Sequence, residues 1–139
     1  MLVQNALSLK LENLEDNHYK IRIEICNNAQ KDYYIKKYVL LLDGFTHNNI
    51  KITSGPSHIN CGIATKHHDS DFFLLRGASC ISNILNVEDL CNFNEALNGT
   101  YTLQYNTDPL LCPQPAYHNC DISTQALTGE ISLLHGEQQ

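Results

Sequence analysis

Apolar and polar residues alternate with a period of two along most of the chain, the spacing that puts every second side chain on one face of a pleated strand. Leu7, Leu9 and Leu11 alternate with Ser8 and Lys10, and Tyr19, Ile21, Ile23 and Ile25 alternate with Lys20, Arg22 and Glu24. Ile50 and Ile52 flank Lys51, and Tyr101, Leu103 and Tyr105 alternate with Thr100, Thr102 and Gln104. Ile131 and Leu133 repeat the pattern until Leu134 breaks it. Between these runs stand turn formers: Asn27-Asn28, Asp43-Gly44, Ser54-Gly55-Pro56, Arg76-Gly77 and Asn98-Gly99. They supply left-handed or fixed backbone angles. Strands punctuated this regularly predict an all-β, immunoglobulin-like antiparallel β-sandwich of about seven to nine strands.

Two segments depart from simple alternation. Tyr33 to Leu42 is dense in apolar residues and reads as a strand buried on both faces, with a helix as the competing reading. Asn86 to Leu97 is the one plausible short helix, because Asn86 is a good N-cap and Glu88-Asp89 place negative charge in the first turn. Residues 107–122 form a connection rich in proline and cysteine, and 123–134 a terminal strand. No repeat or linker divides the chain, so residues 1–139 are expected to form a single domain.

Composition narrows the class. The chain has 139 residues, enough to bury one core. Its longest aliphatic run, Val39 to Leu42, is far short of the roughly 20 apolar residues that span a bilayer as a helix, so no membrane insertion is expected. Nine basic against fifteen acidic residues give a net charge of -6, with no basic cluster beyond Lys36-Lys37. That leaves no electrostatic footprint for nucleic acid. The first residues lack the basic start and solid apolar run of a signal peptide. Even so, six cysteines, Cys26, Cys61, Cys80, Cys91, Cys112 and Cys120, suit an oxidised protein of extracellular or periplasmic location. Asn98-Gly99-Thr100 is a glycosylation sequon, with Asn98 the acceptor.

The order of several elements resembles the amino-terminal β-sandwich that precedes the catalytic domain of deuterolysin-like (aspzincin) metallopeptidases. The residues that carry the resemblance are the strand ending in Asn27, then Val39-Leu40-Leu41-Leu42-Asp43-Gly44, and then Ile59-Asn60-Cys61-Gly62-Ile63 followed by Lys66. After these come Asp71-Phe72-Phe73-Leu74-Leu75-Arg76-Gly77-Ala78-Ser79, Val87-Glu88-Asp89-Leu90-Cys91-Asn92-Phe93 and Gly99-Thr100-Tyr101-Thr102-Leu103-Gln104-Tyr105. The similar stretch is 6–105. None of the histidines begins His-Glu-x-x-His, so no catalytic residue carries over. The resemblance implies a pro-region-like sandwich standing without the peptidase domain.

Candidate chemistry is sparse. Cys112, His118, Cys120 and Asp121 are metal-binding types, but the spacing of the two cysteines is wider than a zinc knuckle; a disulfide between Cys112 and Cys120, closing a loop already stiffened by prolines, is the expectation. His67-His68-Asp69 with Asp71 reads as a solvated strand end. Gly77-Ala78-Ser79-Cys80 and Gly55-Pro56-Ser57-His58 both fail as nucleophile turns, because isoleucine stands where the closing glycine belongs. No catalytic residue, metal or cofactor is expected. Tyr19, Tyr101 and Tyr105 read as core rather than as a sugar-stacking face. Tyr33, Tyr34 and Tyr38 beside Lys36-Lys37 are the candidate contact patch, with Ile131 and Leu133 of the terminal strand as candidates for strand exchange. The sequence therefore points to a non-enzymatic module that binds a protein partner, a protease or a neighbouring subunit, in a pro-region-like or inhibitor-like manner. The alternatives are glycan binding and self-assembly into homo-oligomers by strand addition.

Overall fold

The computed structural model describes residues 2–3, 7–14, 17–40, 50–61, 72–93, 98–107, 110–112, 122–124 and 126–135. The protein is nearly all β, with antiparallel sheets in a sandwich-like arrangement. Thirteen strands are described, in chain order β1 (Leu2–Val3), β2 (Leu7–Leu14), β3 (Asn17–Asn27), β4 (Tyr33–Lys36), β5 (Ile50–Ser54), β6 (Ser57–Cys61), β7 (Phe72–Leu75), β8 (Ser79–Asn86), β9 (Cys91–Asn92), β10 (Gly99–Thr107), β11 (Leu110–Leu111), β12 (Ile122–Thr124) and β13 (Leu127–His135). The alternating runs of the sequence become β2, β3, β5, β10 and β13, with the apolar members turned inward: Ile21, Ile23 and Ile25 of β3 and Leu103 of β10 are fully buried.

One layer is the five-stranded sheet β13-β10-β5-β6-β9. The other is built from β2-β3-β8, from the pair β4-β7, and from β1-β12-β11, whose β1 and β12 run parallel. These pieces are joined. Tyr34 of β4 exchanges backbone hydrogen bonds with Cys112 just after β11, donating at 2.7 Å and accepting at 3.0 Å. The β3–β4 and β7–β8 segments form one long antiparallel ribbon with a corner in the middle, because Asn27 pairs with Ser79 and Tyr33 pairs with Leu75 on either side of it. Five residues on one strand, Asn28 to Asp32, oppose three on the other, Arg76 to Ala78. The mismatch bends the ribbon as a bulge does.

The segment Tyr33 to Leu42, read as one buried strand, splits. Among its described residues Tyr33–Lys36 is extended and Lys37–Leu40 is a 3-10 turn. Tertiary contacts decide the break: Leu40 accepts a hydrogen bond from the Asn83 side chain at 3.1 Å, and Tyr105 donates from its hydroxyl to the Val39 carbonyl. Within the expected short helix the described residues form one turn, α1 (Val87–Leu90), and residues 94–97 lie outside the described residues. Asn86 is its N-cap and accepts from the Glu88 amide at 3.1 Å. It ends at Cys91 because that residue pairs with Cys61 of β6 and turns back to strand geometry. The terminal strand is displaced and divided, into β12 and the longer β13.

Two disulfides join directly opposed residues of neighbouring strands, Cys26–Cys80 between β3 and β8 and Cys61–Cys91 between β6 and β9. Such bridges point to an oxidising, extracellular-type environment. Cys112 is also disulfide-bonded, and Cys120, the partner expected for it, lies outside the described residues.

Candidate functional site

Of the tyrosines placed in a contact patch by the sequence, Tyr33 is withdrawn from solvent. Tyr33 is only 6% exposed and belongs to the core, Tyr34 is half-buried, and the side chain of Tyr38 lies outside the described residues. The reason is the ladder on both sides of β4, with β7 on one flank and Cys112 on the other. Lys36 is 5% exposed, its ammonium 4.5 Å from the centre of the Phe72 ring. Lys31 takes the same position over Tyr33 at 5.7 Å. The Lys36 contact turns one of the two lysines expected at the surface into cation–π packing, and the side chain of the other, Lys37, lies outside the described residues.

Residues Ile131 and Leu133 are likewise committed to their own sheet. β13 pairs with β10 over nine positions from Leu127 to His135. Leu133 is fully buried and Ile131 packs against the core. The other edge of β13 lies against β2, where the Asn13 side-chain amide donates to the Ser132 carbonyl at 2.7 Å and Gly129 sits against Leu9 and Leu11. The two layers therefore close on each other along this side.

Tyr101 and Tyr105 are buried, and Tyr19 meets Phe93 edge-on at 5.2 Å, so these aromatics are core, as read from the sequence. Ser79 sits in the β7–β8 corner, its hydroxyl donating to the Arg76 carbonyl at 2.6 Å, which is a turn contact and not a poised nucleophile. Gly55, at a φ of +57°, makes the β5–β6 turn. Asn98 and Thr100 of the sequon are exposed ahead of and within β10. The clusters at His67, His68, Asp69 and Asp71 and at His118, Cys120 and Asp121 lie outside the described residues.

A feature that the sequence reading missed is the opposite edge of the layer that holds β2, β3 and β8. β8 is the last strand of β2-β3-β8, and β7 is the last strand beside β4. Together they form a continuous cornered edge from Phe72 to Asn86. Among the described residues the two exposed large hydrophobics are Leu74 (38%) and Ile84 (52%), and both lie on this edge. β8 reads Ser-Cys-Ile-Ser-Asn-Ile-Leu-Asn, with no charge and no proline, whereas β2 carries Lys10 and Glu12 and β13 carries Glu130. Charge and proline are the usual protection of an edge. Directly opposed residues of an antiparallel pair alternate between wide, mutually hydrogen-bonded positions and narrow ones whose N–H and C=O groups point away. The Cα atoms of Cys26 and Cys80 are 4.0 Å apart, which marks a narrow position. Ser82 and Ile84, two and four residues on, share that phase, so their backbone groups face the outer side of β8.

Two other arrangements bear on chemistry. Glu24, Cys26 and Cys80 bring ligand-type atoms within 4.8 Å of one another, yet sulfurs bonded to each other are not thiolates available to a metal. On the outer face of the five-stranded sheet an open cleft of about 480 Å³ is lined by Lys51, Gln104, Asn106, Thr128 and Glu130. Gln104 donates there to Glu130 at 3.3 Å. No model of a known protein family matches the chain, and no curated protein is similar to it in sequence, so the edge and the cleft are judged on their own chemistry.

Proposed function

We propose that the protein is a non-enzymatic, secreted binding module that captures an extended segment of another protein along the β7–β8 edge. The observation that carries this reading is the coincidence, on one ribbon, of an eight-residue edge strand without charge or proline and of the two exposed large hydrophobics found among the described residues. Strand addition supplies affinity through main-chain hydrogen bonds and specificity through alternate side chains, for which Ile84 and Leu74 are the apolar anchors. The resemblance to the aspzincin amino-terminal sandwich makes a secreted metallopeptidase the first partner class to try, with the module acting in a pro-region-like or inhibitor-like way. The location that goes with this is extracellular or periplasmic, in keeping with the disulfides.

The test uses Ser82→Pro, which removes an outward N–H from β8 without touching a hydrogen bond to β3. A partner isolated from the native secreted fraction, or inhibition of a metallopeptidase panel, is lost in this variant while the circular dichroism spectrum and melting temperature stay close to those of the unmodified protein. Equal capture by both forms overturns the edge reading. The second reading, glycan binding, is favoured by the amide- and hydroxyl-lined cleft at Gln104 and Asn106. A glycan array with Gln104→Ala as control decides it.

A further inference from the structure

The bridges differ in shelter. Cys91 is 7% exposed and part of the core cluster, its partner Cys61 is half-buried against that cluster, and Cys112 is buried, whereas Cys26 is half-buried and Cys80 exposed. Cys26 and Cys80 lie on the solvent face of their sheet, flanked by Glu24 and Ser82 in one direction. β3 and β8 remain in register at seven further positions from Lys20/Asn86 to Asn27/Ser79. Opening this bond therefore needs no opening of the core.

Direction matters as well as access. A thiolate attacks a disulfide sulfur along the extension of the sulfur–sulfur bond and expels the other sulfur. The Cys26–Cys80 bond runs across the ladder from β3 to β8. At Cys80 the line of attack arrives from beyond β8, the side that no described strand covers. At Cys26 it arrives over β2, where Ser8 stands directly opposite. The Glu24 carboxylate lies 3.9 Å from Cys26 Sγ and within 4.8 Å of Cys80 Sγ, so its repulsion of an anionic nucleophile acts at both sulfurs and adds to the directional difference only where it is nearer, at Cys26. Lys10, opposite Glu24 in register, extends toward Glu12 at 3.8 Å.

We propose that Cys26–Cys80 is a thiol–disulfide exchange site, and that a cysteine-type thiol of the glutathione class enters at Cys80. The thiolate of the incoming molecule bonds to Cys80 Sγ as the bond to Cys26 breaks, and Cys26 leaves as a thiolate that takes a proton from water. A second glutathione thiolate attacks the mixed disulfide, releases Cys80 and leaves oxidised glutathione. The net change is two electrons and two protons delivered to the protein. Cys80 lies on the β8 edge that partner capture would cover, but the exchange is read on the protein alone, so its failure and the failure of the capture reading are distinguishable.

The experiment is exchange of the folded, oxidised protein with glutathione, stopped with acid at intervals, followed by alkylation and peptide mass spectrometry. The expected result is opening of Cys26–Cys80 at least about tenfold faster than Cys61–Cys91, with glutathione on Cys80 and the alkyl group on Cys26. In Glu24→Gln the share of glutathione found on Cys26 rises. Equal rates for the two bridges, faster opening of Cys61–Cys91, adducts chiefly on Cys26, or no opening without denaturant each overturn the proposal.

Discussion

Asn27 shows how one polar side chain can hold a corner. It is buried, and its side-chain amide donates to the Lys31 carbonyl at 2.9 Å and to the Leu75 carbonyl at 3.0 Å, while its side-chain oxygen accepts from the Ala29 amide at 3.0 Å. It thus ties the end of β3 both to its own loop and to β7. Asn27→Ala strands those groups in a buried place, and a loss of about 2 to 4 kcal/mol is expected by urea denaturation. Asn27→Asp keeps only the acceptor and is expected to lose a similar amount, whereas a surface contact would tolerate it. Across the corner, Gly77 faces the Gln30 carbonyl, and a Cβ there would meet that oxygen at 2.5 Å. Since the obstacle is backbone, Gly77→Ala is expected to cost about 1 to 3 kcal/mol and to lower the melting temperature.

Among the elements, the sharpest contrast is between β8 and β13, the two longest strands at sheet edges among the described residues besides β2. β13 alternates, is the terminal strand of the sequence reading and carries the candidates for strand exchange; one of its edges is filled by β10 and the other meets β2. β8, by contrast, is paired by β3 on one side and by no described strand on the other. At its end, Asn86→Ala removes the cap of a helix one turn long, and about 1 kcal/mol is expected to be lost. Ser82→Pro, by comparison, is expected to cost about 1 kcal/mol or less, because the N–H removed has no partner within the sheet. Chemical denaturation of the two variants side by side checks the order.

At the scale of the whole molecule, the terminal strand is structural. Removal of residues 126–139 deletes Leu127 and Leu133 from the core and nine paired positions from β10. Loss of two buried leucines alone costs about 4 kcal/mol or more, a large share of a small domain's margin. The truncated chain is expected to be unfolded by circular dichroism and near-ultraviolet signal; a folded truncation with intact tertiary signal would show that β13 is dispensable. The disulfides add to the same total. Cys61–Cys91 closes a sequence separation of 30, and in the chain-entropy model such a loop stabilises by about 3 to 4 kcal/mol. Cys61→Ala/Cys91→Ala is expected to lower the denaturation midpoint accordingly.

The sequence by itself determined the class of fold, because period-two alternation at Tyr19 to Ile25 or Tyr101 to Tyr105 fits no helical face and needs no knowledge of partners. It also determined the helix start at Asn86, since a cap is a contact between residues two apart, and the core role of Tyr101 and Tyr105. Which residues stay uncovered was decided only by tertiary structure. Tyr33 and Lys36 look exposed in a local reading, yet Cys112, nearly eighty positions away, pairs with Tyr34 between them. Ile84 and Leu85 are adjacent apolar residues, and only the register of β3 with β8, which sets Ile84 opposite Arg22 and Leu85 opposite Ile21, turns Leu85 inward and leaves Ile84 exposed. The bridges Cys26–Cys80 and Cys61–Cys91 were hidden for the same reason. Alternation assigns a side chain to one of two faces, but only the register of distant strands says which face meets solvent and which sulfurs stand opposite each other.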